Sequence, residues 1–162
     1  MPSPLDSPGS RRVLPGTYPL WDRALALLNR DLAATLPEQE PLQLLAAPPR
    51  GTREPENFYV ALGNGAWHGN HLSPTATDEP SSVLETVADA AQETVTECLW
   101  QAWPLCGEHG LGMHPREVEG QLSWWCAGKP SLRVPAHVRA AVGALDTCER
   151  PRRTARKGRR AR

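Results

Sequence analysis

The stretch from Ser82 to Trp103 constrains the fold more than any other. Leu84, Val87, Ala88, Ala91, Val95, Cys98, Leu99 and Ala102 recur at steps of three and four, which is one face of an amphipathic helix. Glu85, Asp89, Glu93 and Glu97 form a four-spaced acidic row on another face. Ser82 and Glu85 match a capping box just after Pro80, and Pro104 stops the run. A helix of that length needs a partner surface, and the rest of the chain has to supply it from short pieces.

Those pieces are short because 17 prolines and 13 glycines interrupt 162 residues. Residues 1 to 19 hold five prolines and no periodicity, and are expected to be a disordered arm. Residues 20 to 55 are expected to hold one helix, with Trp21, Leu25, Leu28, Leu32 and Leu36 on its inner face and its end before Pro37, then a Pro-rich linker with a short helical turn at LQLLAA. Residues 56 to 148 are expected to form a small α+β domain. Within it, 58 to 71 reads as a β-hairpin with a type I′ turn at Asn64-Gly65, and 115 to 126 as two strands joined at Glu119-Gly120. Pro135 is expected to open a last helix with Val138, Ala141, Val142 and Leu145 inward. The predicted fold is thus α+β: a long amphipathic helix packed on short antiparallel strands.

The helix runs straight into CGEHGLGMH, residues 106 to 114. Cys106 and His109 have C-x2-H spacing, which lets a tight turn aim two ligands at one ion. Cys126 follows His109 after sixteen intervening residues, within the spacing of a zinc ribbon's second pair, and the expected hairpin returns it to the turn. That pair should close at position 129, which is Lys129, a poor zinc ligand. His114 is the fourth ligand nearest in sequence. Cys98, His137, Cys148 and a water are the other ways to complete the set, the water giving an open, catalytic type of site. The predicted cofactor is one zinc ion, on Cys106, His109, His114 and Cys126, in a zinc-ribbon-like knuckle.

The stretch ETVADAAQETVTECLWQAWPLCGEHGLGMHPREVEGQLSWWCAGKP carries a helix, a Trp-Pro-x-Cys-x-x-His turn and a strand ending in Trp-x-Cys. In this it resembles small uncharacterised proteins of high-GC bacteria, over roughly residues 85 to 145. The resemblance implies no activity. It does imply a further histidine soon after the C-x2-H pair, as His114 is here.

Catalytic signatures are missing from the sequence. No histidine is followed two positions on by glutamate, and H-E-x-x-H, G-x-S-x-G and the Walker loop are absent. A zinc-dependent hydrolase would need the open fourth position, with Glu108 beside His109 as its base. A component of a larger assembly, docking through a Trp-rich surface, is a further reading of the six tryptophans.

The zero net charge hides an asymmetry. Residues 149 to 162 read as a disordered basic tail, in which Arg150, Arg152, Arg153, Arg156, Lys157, Arg159, Arg160 and Arg162 account for eight of the 18 basic residues. Outside residues 150–162 the chain carries ten basic residues against 18 acidic ones. Arginine-rich arms bind phosphates by charge and counterion release, so the expected partner is nucleic acid or an acidic protein. Four cysteines with no apolar leader, and no apolar run near the ~18 residues of a membrane span, place the expected compartment in the cytoplasm with reduced thiols. The function predicted is a non-catalytic, zinc-stabilised binding or adaptor protein.

Overall fold

A computed structural model describes residues 9–48, 56–74 and 79–148. It is α+β, with two helices and two antiparallel three-stranded sheets. In chain order the elements are β1 (Arg11–Arg12), α1 (Pro19–Thr35), β2 (Gln43–Ala47), β3 (Asn57–Ala61), α2 (Pro80–Leu99), β4 (His114–Val118), β5 (Gln121–Cys126) and β6 (His137–Ala141). The sheets are ordered β1-β2-β3 and β4-β5-β6. No described helix is long and apolar enough to cross a membrane.

The helices pack on each other, and α2 also packs against β3, β4 and β5. Leu28 and Leu32 of α1 meet Val87, Ala88, Ala91 and Val95 of α2, and Phe58, Val60, Trp103, Met113 and Trp124 complete the same buried cluster. Two buried polar side chains tie this core together. Thr94 of α2 donates its hydroxyl to the carbonyls of Val60 (2.8 Å) and His68 (3.1 Å) and accepts from the His68 amide (3.2 Å), which fixes the loop after β3 on the helix. Asp31 of α1 is fully buried and accepts from the Trp124 indole N–H (2.7 Å) and from the amides of Gly143 (2.7 Å) and Leu145 (2.9 Å). Burial pushes its carboxyl above the ordinary aspartate range, and the three donated hydrogen bonds oppose that shift.

Several sequence expectations change here. Residues 9–19 are not a disordered arm: Arg11 and Arg12 pair with Ala46 and Leu45, and Val13 is buried. Residues 1–8 lie outside the described residues. LQLLAA forms strand rather than a helical turn, because β3 offers it a five-residue antiparallel partner, and tertiary pairing outweighs a short segment's own preference.

Residues 58–71 form half of the expected hairpin. The turn after β3 has the Gly65 amide on the Leu62 carbonyl (2.9 Å) and the Leu62 amide on that of Ala66 (2.8 Å), with positive φ at Gly65 and not at Asn64. That is a type I turn with a glycine bulge, not type I′, and the returning chain makes only the isolated bridge of Leu72 to Phe58. The type I′ geometry occurs at Glu119-Gly120, where both φ values are positive (51° and 78°) and β4 and β5 pair as expected.

Helix α2 begins earlier and ends earlier than its apolar pattern. Pro80 is its first residue, so Ser82 falls inside the first turn, and its carbonyl accepts from Thr86 Oγ1 (2.9 Å). No capping box forms. Trp100 ends the helix in a left-handed conformation, and Trp103 then turns into the core, its indole N–H on Thr35 Oγ1 (2.8 Å). The predicted last helix is absent. Val138 and Ala141 belong to β6, which pairs with the far side of β5, and Gly143 at φ +92° breaks any helical run. A single turn of 3-10 helix, Leu145–Thr147, follows.

Candidate metal centre

The turn after α2 is built to present Cys106 and His109 together. The Gly110 amide bonds the Cys106 carbonyl (2.8 Å) and the Cys106 amide bonds the Leu111 carbonyl (2.7 Å), so the chain reverses within five residues. Gly110 takes φ +66°, which glycine alone adopts without strain. The Met113 amide on the Pro104 carbonyl (2.8 Å) closes the base of the loop. Gln92 of α2 donates its amide to the Trp103 carbonyl (3.1 Å) and to that of Met113, holding the knuckle to the helix.

The other two donors come from neighbouring strands. Cys126 ends β5 and His137 begins β6, and they stand opposite each other in the sheet register. Between them the chain makes a wide loop pinched by Lys129 and Val134. Gly128 sits so close to the backbone of Val134 and Pro135 that a Cβ there would lie 2.3 Å from the Val134 carbonyl oxygen. Its N–H also bonds the Cys126 sulfur.

One donor atom from each of Cys106, His109, Cys126 and His137 lies within 4.8 Å of all the others. Cys106 Sγ is 3.7 Å from His109 Nδ1 and 3.5 Å from His137 Nε2, and Cys126 Sγ is 3.6 Å from His109 Nδ1. Zinc bonds of about 2.3 Å to sulfur and about 2.0 Å to nitrogen, at tetrahedral angles, separate S from N by about 3.6 Å. These three separations match S···N edges of such a tetrahedron. Both sulfurs are buried and neither is in a disulfide. Burial pushes the Cys126 thiol up; the Gly128 N–H lowers it, and Cys106 and then Glu108 raise it again. A cation would reverse that balance, since the thiolate is the ligand form.

His114 does not join this group. It opens β4, exposed, where it pairs with Trp125 and lies near Asp89 on the acidic face of α2. The fourth place goes to His137, one of the alternatives open in the sequence. Taking residues 135 to 145 for a helix hid the reason: only as a strand beside β5 does His137 face Cys126. Cys98 sits half-buried near the end of α2, its thiol pushed up by burial and by Glu97. Cys148 bonds the Arg139 carbonyl (3.7 Å). Glu108 pairs with the Arg139 guanidinium at 3.0 Å, which ties the knuckle to β6.

Of the tryptophans next to the centre, Trp124 is buried and meets Trp103 edge-on at 5.7 Å. Trp125 is half-buried under the Arg116 guanidinium (4.7 Å), and Trp100 points to solvent. The basic residues Arg150 to Arg162 lie outside the described residues.

No protein-family model matches the chain, and no curated protein or solved structure is found to be similar to it.

Proposed function

We propose that the chain is a zinc-stapled binding domain that catalyses nothing itself and contacts nucleic acid through its Arg-rich stretch. The observation that carries the metal half is the convergence of four donors within 4.8 Å of one another, three of their S···N separations being 3.5 to 3.7 Å. Two thiolates and two imidazoles suit zinc. Four protein donors complete a tetrahedron, as in structural sites, and leave no position for the water that a hydrolase would activate. Glu108, the base such a hydrolase would need, is held by Arg139. The arrangement is ribbon-like with one departure: in place of a second C-x2-C turn, a cross-strand Cys126/His137 pair closes the site.

Native mass spectrometry with metal analysis tests this directly. One zinc per chain is expected in the wild type and in His114→Ala, and none in Cys106→Ser, Cys126→Ser or His137→Ala. Zinc retained in His137→Ala and lost in His114→Ala would overturn the assignment.

The binding half rests on charge. Eight Arg/Lys in residues 150–162 face no acidic residue in that stretch, while the remainder is acidic. Neutralising several phosphates gives affinity that falls steeply with salt and depends little on sequence. Fluorescence anisotropy of the full chain against a labelled oligonucleotide is expected to show that salt slope, and a chain ending at Cys148 to lose it. Binding unchanged by the truncation would remove the stretch from the interface. Failure of the full chain to bind would point to an acidic protein instead.

A further inference from the structure

The outer face of the first sheet carries aromatic rings that the core does not use. Leu44, Ala46, Phe58 and Val60 belong to the buried cluster, whereas Leu45 and Tyr59, of opposite parity along β2 and β3, do not. Tyr59 stacks on Trp67, with ring centroids 3.6 Å apart and planes 16° from parallel. Both residues are half-buried, and neither belongs to the core cluster or packs against it. His71, exposed, meets Tyr59 edge-on at 6.5 Å. The Tyr59 hydroxyl and the Trp67 indole N–H form no hydrogen bond among the described residues.

A cation stands on the same face. Arg12 pairs with Leu45 and Leu45 with Tyr59, so the three form one cross-strand row. Two strand spacings, roughly 10 Å, separate the backbone of Arg12 from that of Tyr59. Arg12 is exposed and makes no ion pair among the described residues, unlike Arg11, which Glu56 holds at 2.6 Å. The remaining residues that the β2–β3 register places on this face are Gln43, Ala47, Asn57 and Ala61, none of them acidic. A stacked ring pair and a positive charge thus share one sheet face with no carboxylate in the strands between them.

We propose that this face is a stacking platform for single-stranded nucleic acid, with an unpaired base on the Tyr59–Trp67 pair and a neighbouring phosphate on Arg12. The inference rests on the nucleic-acid reading above and narrows it to a substrate class. Charge alone binds any phosphate backbone, single or double. Aromatic rings add a preference, because a base offers its π-face to them only when it is not stacked inside a duplex. An apolar protein segment would use the rings but has no use for the arginine, and a simple anion would use the arginine but not the rings. A nucleotide brings a flat ring and a negative charge joined at short range, which matches both. The eight basic residues at 150–162 then hold the strand's backbone while the sheet holds its bases.

Fluorescence anisotropy of the full chain against one labelled deoxyoligonucleotide, single-stranded or annealed to its complement, tests the platform. The wild type is expected to bind the single strand about tenfold more tightly than the duplex. Tyr59→Leu and Trp67→Leu are expected to erase that preference while keeping duplex affinity, and Tyr59→Phe, which retains the ring, to bind as wild type. Arg12→Ala reads the same face without touching the rings, and is expected to weaken single-strand binding and lower the salt slope by about one. Circular dichroism melting confirms that each variant is folded. Equal wild-type affinity for single strand and duplex, or folded ring variants and Arg12→Ala that all bind as wild type, overturns the platform and leaves the charge-driven reading standing. Failure of the wild type to bind either form overturns the nucleic-acid reading, and the platform with it.

Discussion

The Asp31 carboxylate and the Trp124 indole meet at 2.7 Å in the middle of the protein, 93 residues apart in sequence. With the Gly143 and Leu145 amides on the same carboxylate, one α1 side chain satisfies three buried donors from β5 and the segment after β6. Asp31→Ala leaves all three without acceptors. At about 1–3 kcal/mol for each orphaned buried donor, a loss of roughly 3 kcal/mol or more is expected in urea denaturation. Asp31→Asn keeps the shape and part of the bonding, and should cost less.

The same carboxyl gives stability a definite pH dependence. Its folded pKa is raised, burial being the main cause, so the folded state holds the proton to higher pH than the unfolded state does. Its contribution is therefore fully present below the unfolded aspartate value of about 3.9 and is lost as pH rises through the folded value. Asp89 is raised too, by burial and by Glu85, so total stability is the wrong readout. The difference in unfolding free energy between wild type and Asp31→Asn isolates Asp31, and is expected to move against the wild type across that window. A difference flat with pH would show that Asp31 does not titrate there.

Metal removal is expected to act locally first. The Cys106 and Met113 amides are held within the knuckle, and Cys126 and His137 pin β5 to β6. Hydrogen exchange after chelation should lose protection over residues 104–113 and at the β5–β6 pairing, while the β2–β3 amides keep theirs. Uniform loss would mean that the ion supports the whole fold.

Thr94→Val tests the far side of α2. The substitution keeps the volume and removes one donor and one acceptor that serve Val60 and His68. About 1–3 kcal/mol of destabilisation is expected, with metal content unchanged.

The Glu119-Gly120 turn offers a gain. Glutamate takes φ 51° at the first central position, where type I′ turns favour asparagine. Glu119→Asn is expected to raise stability by up to ~1 kcal/mol, read as an upward shift of the melting temperature.

The sequence carried the parts of the fold whose signals are local. Both helices follow from apolar spacing, and β4 and β5 follow from their turn. Three of the four converging donors follow from C-x2-H spacing and the hairpin. What failed was decided by partners distant in the chain. LQLLAA and HVRAA are short apolar runs that fit either a helix or a strand, and the open edges of β3 and β5 settle them as strands. His137 stands in the sequence only as one alternative among several for the same reason, because a donor placed by strand register has no sequence spacing of its own. Asp31 gave no signal at all: among the polar positions of an amphipathic helix, nothing marks the one that three later donors will reach.

That late arrival orders events during synthesis. Helix α1 emerges early, yet the amides that neutralise its buried carboxylate belong to residues 143 and 145. Until those leave the ribosome, the N-terminal half carries an unsatisfied acid on the face it must bury, which opposes premature closure of the core. Helix α1 and the segment at residues 143–145 are therefore expected to finish folding together, and a chain stalled before residue 143 to stay open to quality control.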